Sequence, residues 1–279
     1  MSPTQTQRLQ IIEAVDALFD EQIEFLKDIV RIPSQRGLEE QAQMFMADAM
    51  ADLGLQVDKW VIDVERIKDH PGFSPVSISY ENSWNVVGTH QPRNASGRSL
   101  VLNGHIDVVP TGAAERWTYG PYEPEIKDGW MYGRGAGDMK SGLSANLYAL
   151  KALQSIGLQP AAKVYVQSVV EEECTGNGAL DCVLRGYVAD AGFIPEPLEP
   201  KLLRGQIGPI WIRVEVSGAP DGVAGVTQVK RLKKLYPTEA AALAACTSSD
   251  SVALQGLYFC VLALSVTFTA SSISTSAST

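Results

Sequence analysis

One stretch constrains this chain more than any other. Ala162 to Val170, AKVYVQSVV, is almost continuously apolar and β-branched, and it runs straight into Glu171, Glu172 and Glu173. A strand with apolar residues on both faces is buried on both faces. That is the habit of a central strand in a mostly parallel sheet covered by helices. The C-terminal edge of such a sheet is where open α/β folds place their sites. Three adjacent carboxylates there repel one another. A solvated acidic turn is the plainer reading, and it fits poorly after a strand that is apolar up to the first glutamate.

The same ending recurs. In SLVLNGHIDVVP, the apolar run Leu100 to Leu102 leads to His105 and Asp107. Residues i and i+2 of an extended segment point the same way. A carboxylate beside an imidazole can accept its second N–H, which fixes the tautomer and leaves the other nitrogen free for a metal. A further strand, Asp190 to Ile194, ends in Pro195-Glu196-Pro197. In GRGAGDMKSGLSANLYALKAL, residues 133–153, three glycines permit a tight turn before Asp138. Asp138 then heads a helix whose apolar face is Leu143, Leu147, Leu150 and Leu153. It reads as an N-cap, as a ligand, or as both. A phosphate loop is excluded, because the spacing is wrong and an aspartate at the helix mouth repels phosphate. Hard carboxylates with an imidazole suit zinc, manganese or cobalt. A carboxylate can bridge two such ions about 3.5–4 Å apart, and a nearby unligated glutamate can act as general base.

The remaining elements are read from periodicity and punctuation. Helical spacing of apolar residues from Ile11 to Val30 predicts one helix over 9–30, ended by Pro33. A second helix is expected over 38–53, stopped by Gly54, then a strand over 56–62. Residues 63–82 read as irregular loop, 84–89 as a strand, and Asp128-Gly129 as the turn of a hairpin within 125–132. A helix is expected from Ala179 to Arg185. Alternation of Ile210, Ile212, Val214 and Val216 with polar neighbours points to an antiparallel strand and a new domain starting near residue 206. Beyond it lie a basic cluster, Lys230 to Lys234, an Ala/Ser-rich stretch over 238–251 and a Ser/Thr-rich end expected to be disordered.

Charge and cysteine usage narrow the partners. The formal net charge of −9 argues against nucleic acid, which needs a basic face. No apolar run approaches the roughly 18–20 residues of a membrane span. The start, MSPTQTQRLQ, lacks a signal-peptide profile, and four cysteines show no metal spacing or disulfide framework, so a reducing, cytoplasmic setting is expected. His70 and His90 sit beside turn formers and read as exposed loop residues.

In order, GHIDVVP, GRGAGDMKSG, EEECTGNGA and PEP resemble the family of acetylornithine deacetylase, succinyl-diaminopimelate desuccinylase, aminoacylase and carboxypeptidase G, over about residues 10–218. Those proteins are dinuclear zinc hydrolases of amide bonds. The resemblance implies a zinc-aminopeptidase-like α/β domain over 1–205, the start of an α+β lid and dimerisation domain over 206–235, and a small N-acyl substrate. It implies that Asp138 bridges two zinc ions, that His105 and Glu196 complete the first site and that Glu173 holds the second. Glu172 would be the general base, Asp107 would orient His105, and Glu171 would have no direct role. The sequence departs from the family where the lid histidine belongs, with Gly222 near that position, and no histidine follows His105. The expectation is therefore aberrant sequence from about residue 219, with 236–279 a tail outside any domain, and an inactive remnant as the alternative to a working deacylase.

Overall fold

The computed structural model describes residues 4–197 and two short strands further on, Val216–Ser217 and Phe268–Thr269. The chain divides into two compact units, Met1–Lys201 and Leu202–Thr279. In the second unit the two short strands pair in parallel, Val216 opposite Phe268. The strand expected from Ile210, up to its last residue, the basic cluster, the Ala/Ser stretch and most of the Ser/Thr end lie outside the described residues.

The first unit is built from five paired strands: β1 (Gln56–Val61), β2 (Trp84–His90), β3 (Leu100–His105), β6 (Val164–Val169) and β7 (Ala191–Phe193). They lie in the order β1-β2-β6-β3-β7. β6 is central, as its nearly continuous apolar run requires. It is parallel to β3, which is parallel to β7, while β2 runs against both β6 and β1. Four of the five strands therefore point one way. A separate hairpin joins β4 (Glu125–Lys127) to β5 (Trp130–Tyr132), with Asp128 and Gly129 both at positive φ, as a two-residue turn demands.

The helices are α1 (Gln5–Ala17), α2 (Phe19–Arg31), α3 (Glu40–Asp52), α4 (Val64–Ile67), α5 (Lys140–Ser155) and α6 (Asn177–Leu184). Leu26, Ile29 and Val30 of α2, Met46 and Met50 of α3, and Leu143, Leu147 and Leu150 of α5 pack with Val86, Leu102, Val164 and Val166 on one face of the sheet. Each large side chain buried there contributes on the order of 1.5–3 kcal/mol. The other face carries a smaller cluster of Trp60, Val87, Val169 and Cys182. Gln43 ties α3 to the sheet, donating to the carbonyls of Trp84 and Ser168 at 2.9 Å each.

Three expectations need correction. The single helix over 9–30 is two, because the chain opens at Leu18, whose amide bonds Val15 three residues back at 3.2 Å and starts a new helix. Ile12, Val15 and Phe19 are consequently exposed instead of forming one buried stripe. The loop over 63–82 contains α4, capped by the Asp63 side chain on the Glu65 amide at 3.0 Å. His90 is not in a loop; it ends β2, half-buried, with Nε2 3.0 Å from the Pro160 carbonyl.

Gly178, in the first turn of α6, lies so close to β6 that a Cβ there would sit 2.0 Å from the Val170 carbonyl oxygen. That neighbour is backbone and cannot rotate away. Gly178→Ala is expected to destabilise the chain by about 3 kcal/mol or more, the upper end for overpacking. A urea midpoint equal to that of the unaltered chain would show that α6 can move off the sheet.

Candidate metal centre

Strand register assembles most of the site. β3 and β6 are paired with His105 opposite Val169, so the next residues bring Asp107 level with the acidic turn that starts at Glu171. β3 and β7 are paired with Leu102 opposite Phe193. Continuing that register by three residues puts position 196 beside position 105. The head of α5 closes on the same edge. Gly142 is needed there, because a Cβ would lie 2.5 Å from the Pro195 carbonyl oxygen. This close approach brings Asp138 and Glu196 together.

His105 lies buried at the base, with 0% side-chain exposure, while Asp138 and Glu172 stand on the rim at 54% and 48%. His105 Nε2 is 3.1 Å from Asp138 Oδ1, 3.5 Å from Glu172 Oε2 and 3.7 Å from Glu196 Oε1. Two overlapping sets offer ligand atoms within 4.8 Å of one another: His105, Asp138 and Glu173, and His105, Glu172 and Glu196. All the predicted ligands thus converge. Asp138 does not cap α5: Met139 occupies the cap position without a side-chain bond, which leaves the Asp138 carboxylate for His105.

The electrostatics are those of crowded carboxylates. Burial raises the pKa of Glu173 to about 7, and the charges of Asp138, Asp107 and Glu172 add to it while His105 opposes. Burial also pushes Glu196 up to about 7, against His105 and with Glu172 and Asp138. Glu172 is raised by burial as well. For His105, burial favours the neutral ring, but the Asp107 and Asp138 carboxylates outweigh it and hold the imidazolium up to about 11. Among the described residues, no lysine or arginine forms a salt bridge with Asp138, Glu172, Glu173 or Glu196. Among the described residues, the His105 imidazolium is the one cation within salt-bridge distance of Asp138, Glu172 and Glu196. One imidazole among hard oxygen donors fits a divalent ion such as zinc, manganese or cobalt.

Asp107 acts through two different groups. Its backbone carbonyl, not its carboxylate, takes the His105 Nδ1 proton at 2.8 Å, which leaves Nε2 facing the site; the carboxylate stands 3.5 Å from that nitrogen. The carboxylate instead accepts the amides of Glu172 at 3.3 Å and Glu173 at 3.1 Å. Sequence spacing located Asp107 correctly but not this division of labour. His70 and His90 do not join the cluster.

Two buried acids flank the site: Glu171, whose anchoring partners carried no sequence signal, and Glu39, which itself carried none. Glu171, fully buried at φ +67°, is held by Arg36, Tyr80 and Thr175. Glu39, fully buried, has neither carboxylate oxygen in a hydrogen bond of ordinary geometry. Burial pushes its pKa up to about 7, with the nearby charges of Asp107 and Glu171 adding and the Gly37 and Glu39 amides offsetting only part. A carboxyl raised on folding contributes stability that is present below its unfolded value of 4.5 and lost as pH rises through about 7. Glu39→Gln is therefore expected to gain on the unaltered chain between pH 5 and pH 8, by up to about 3 kcal/mol. Parallel stability curves for the two proteins over that range would contradict this.

A sequence profile for peptidase family M20/M25/M40 matches residues 101–259, more than half of the chain. The chain belongs to peptidase family M20/M25/M40. The M20 match continues past residue 218, where the motif resemblance stops. Curated M20-like relatives include an N-formyl-4-amino-5-aminomethyl-2-methylpyrimidine deformylase of Bacillus subtilis, 32% identical over 63% of this chain and 38% of that protein. A succinyl-diaminopimelate desuccinylase of Methylorubrum extorquens is 38% identical over 70% of this chain and 50% of that protein. The chain thus spans half or less of these relatives' length. Human carnosine dipeptidase 1 shares the fold with a TM-score of 0.51 at 21% identity, over 66% of this chain and 38% of that one. A metallo-carboxypeptidase of the M20 family from Sulfolobus solfataricus gives 0.51 at 20%, over 63% and 37%. No helix among the described residues is long and apolar enough to cross a membrane.

Proposed function

We propose that this chain carries the site of a metal-dependent amidohydrolase that removes an acyl group from the nitrogen of a small molecule. The supporting observation is the convergence of His105, Asp138, Glu172, Glu173 and Glu196, one imidazole and four carboxylates with no lysine or arginine paired to them among the described residues. His105, Asp138, Glu173 and Glu196 would hold one or two divalent ions, zinc by family likeness. The chemistry such ions supply is polarisation of the acyl carbonyl and activation of water. Glu172, half-exposed on the rim, accepts the proton of the attacking water and returns it to the leaving nitrogen. Asp107 positions both His105 and the two glutamates. The two curated relatives are named for removing formyl and succinyl groups, which points to N-acylated amines as the substrate class.

A second reading is favoured by one observation. His105 is the only histidine in the cluster, and the chain has three in all. Among the described residues, a second ion would rest on Asp138 and Glu173, fewer than the usual three protein ligands of a catalytic zinc. On this reading the site holds metal without turnover. Zinc-loaded chain assayed on N-formyl, N-acetyl and N-succinyl amines separates the two. Free amine that disappears with a chelator and returns with zinc supports hydrolysis. Bound zinc without amine release supports the second reading.

A further inference from the structure

Glu172 and Glu173 carry the chemistry, yet the residue before them is the most firmly held in the turn. Both oxygens of Glu171 are taken: Arg36 Nε bonds Oε1, while Arg36 Nη2 at 2.7 Å, Tyr80 Oη at 2.5 Å and Thr175 Oγ1 at 2.9 Å all reach Oε2. Neither oxygen joins the ligand sets. The Glu171 carbonyl accepts the amides of Thr175 at 2.9 Å and Gly176 at 2.7 Å, closing the turn. Its φ of +67° is a left-handed conformation that a residue with a Cβ adopts only when its surroundings fix it.

Those surroundings are themselves anchored. Arg36 follows a segment laid against the end of β3: the Val108 amide bonds the Ser34 carbonyl at 3.0 Å, and Ser34 Oγ bonds the Ile106 carbonyl at 2.7 Å. Arg36 Nη1 also donates to Ser77 Oγ at 2.8 Å, and Asn177 Nδ2 donates to Tyr80 Oη at 3.1 Å. From the opposite side the Asp107 carboxylate holds the Glu172 and Glu173 amides. A rotation at Glu171 would swing both following side chains.

We infer that Arg36 is a positioning residue for the metal centre: its two-pronged grip on Glu171 sets the aim of Glu172 and Glu173. The inference rests on the proposed metal reading of the site. The competing role is purely structural, in which Arg36 only neutralises a buried carboxylate. Zinc affinity, measured by competition with a chromophoric chelator, distinguishes them. Arg36→Met is expected to weaken zinc binding about 10–100-fold, the usual cost of removing a partner behind the ligands. Arg36→Lys, a point charge without the fork, should fall between. The pair Arg36→Met with Glu171→Gln removes the orphaned charge, so its urea midpoint should recover while its zinc affinity stays low. Wild-type zinc affinity in that pair, or in Arg36→Met itself, overturns the inference. If Arg36→Met does not fold, Arg36→Lys keeps the charge without the fork and should still bind zinc several-fold more weakly; unchanged affinity there overturns it too. Zinc that fails to bind even the unaltered chain overturns the metal reading and this inference together, whereas zinc bound by the unaltered chain and equally tightly by the variants overturns only this one.

Discussion

Glu172→Gln is expected to keep zinc and to lose turnover by about 10²–10⁴-fold, the usual cost of removing a general base. The amide is isosteric with the carboxylate but cannot accept a proton from water. Glu172 is the candidate because it stands half-exposed on the rim, 3.5 Å from His105 Nε2, while Glu173 lies deeper and is buried. Its amide is already fixed by Asp107, so the substitution should not move the turn. Hydrolysis of an N-acyl amine under zinc saturation, read beside metal content, checks this. Near-normal turnover would move the base to another carboxylate. Loss of zinc along with turnover would make Glu172 a ligand, as its place in the set with His105 and Glu196 allows.

His105→Ala should have the larger effect on metal. His105 is the one residue common to both candidate ligand sets, and its removal leaves carboxylates alone. Burial first, and repulsion among the neighbouring carboxylates after it, pushes Glu173 and Glu196 up to about 7. Without the imidazole the cluster loses its nitrogen donor and each set falls to two carboxylates, below the usual three protein ligands, so zinc binding at this site should be lost, not merely weakened. The void at the base adds a stability cost, so metal content must be read on protein shown to be folded by far-UV circular dichroism. Unchanged zinc stoichiometry in folded His105→Ala would place the metal elsewhere.

How far the sequence carried this reading depended on how local each signal was. β6 and the acidic turn were legible because an apolar run and three glutamates are contiguous. Asp138, His105 and Glu196 were legible because each ends or opens an element at the same sheet edge. The network behind them was not. Arg36 and Glu171 are 135 residues apart, and Tyr80 and Glu171 are 91 apart; a lone arginine or tyrosine in a loop has no period to betray a partner. Asp107 was placed but misread, because i, i+2 alternation describes side chains and its bond to His105 is through the backbone. The break at Leu18 has no glycine or proline to mark it, and α4, at four residues, is too short for helical spacing to register.

The decisive measurement is an anomalous difference map collected at the zinc absorption edge from crystals grown with zinc. The proposed site predicts a peak bonded to His105 Nε2, at about 2.0–2.1 Å, with carboxylate oxygens from Asp138 and at least one of Glu173 and Glu196 at about 2.0–2.2 Å. Zinc peaks confined to other surfaces, with His105 Nε2 still facing Asp138 across an ordinary hydrogen bond, would contradict it.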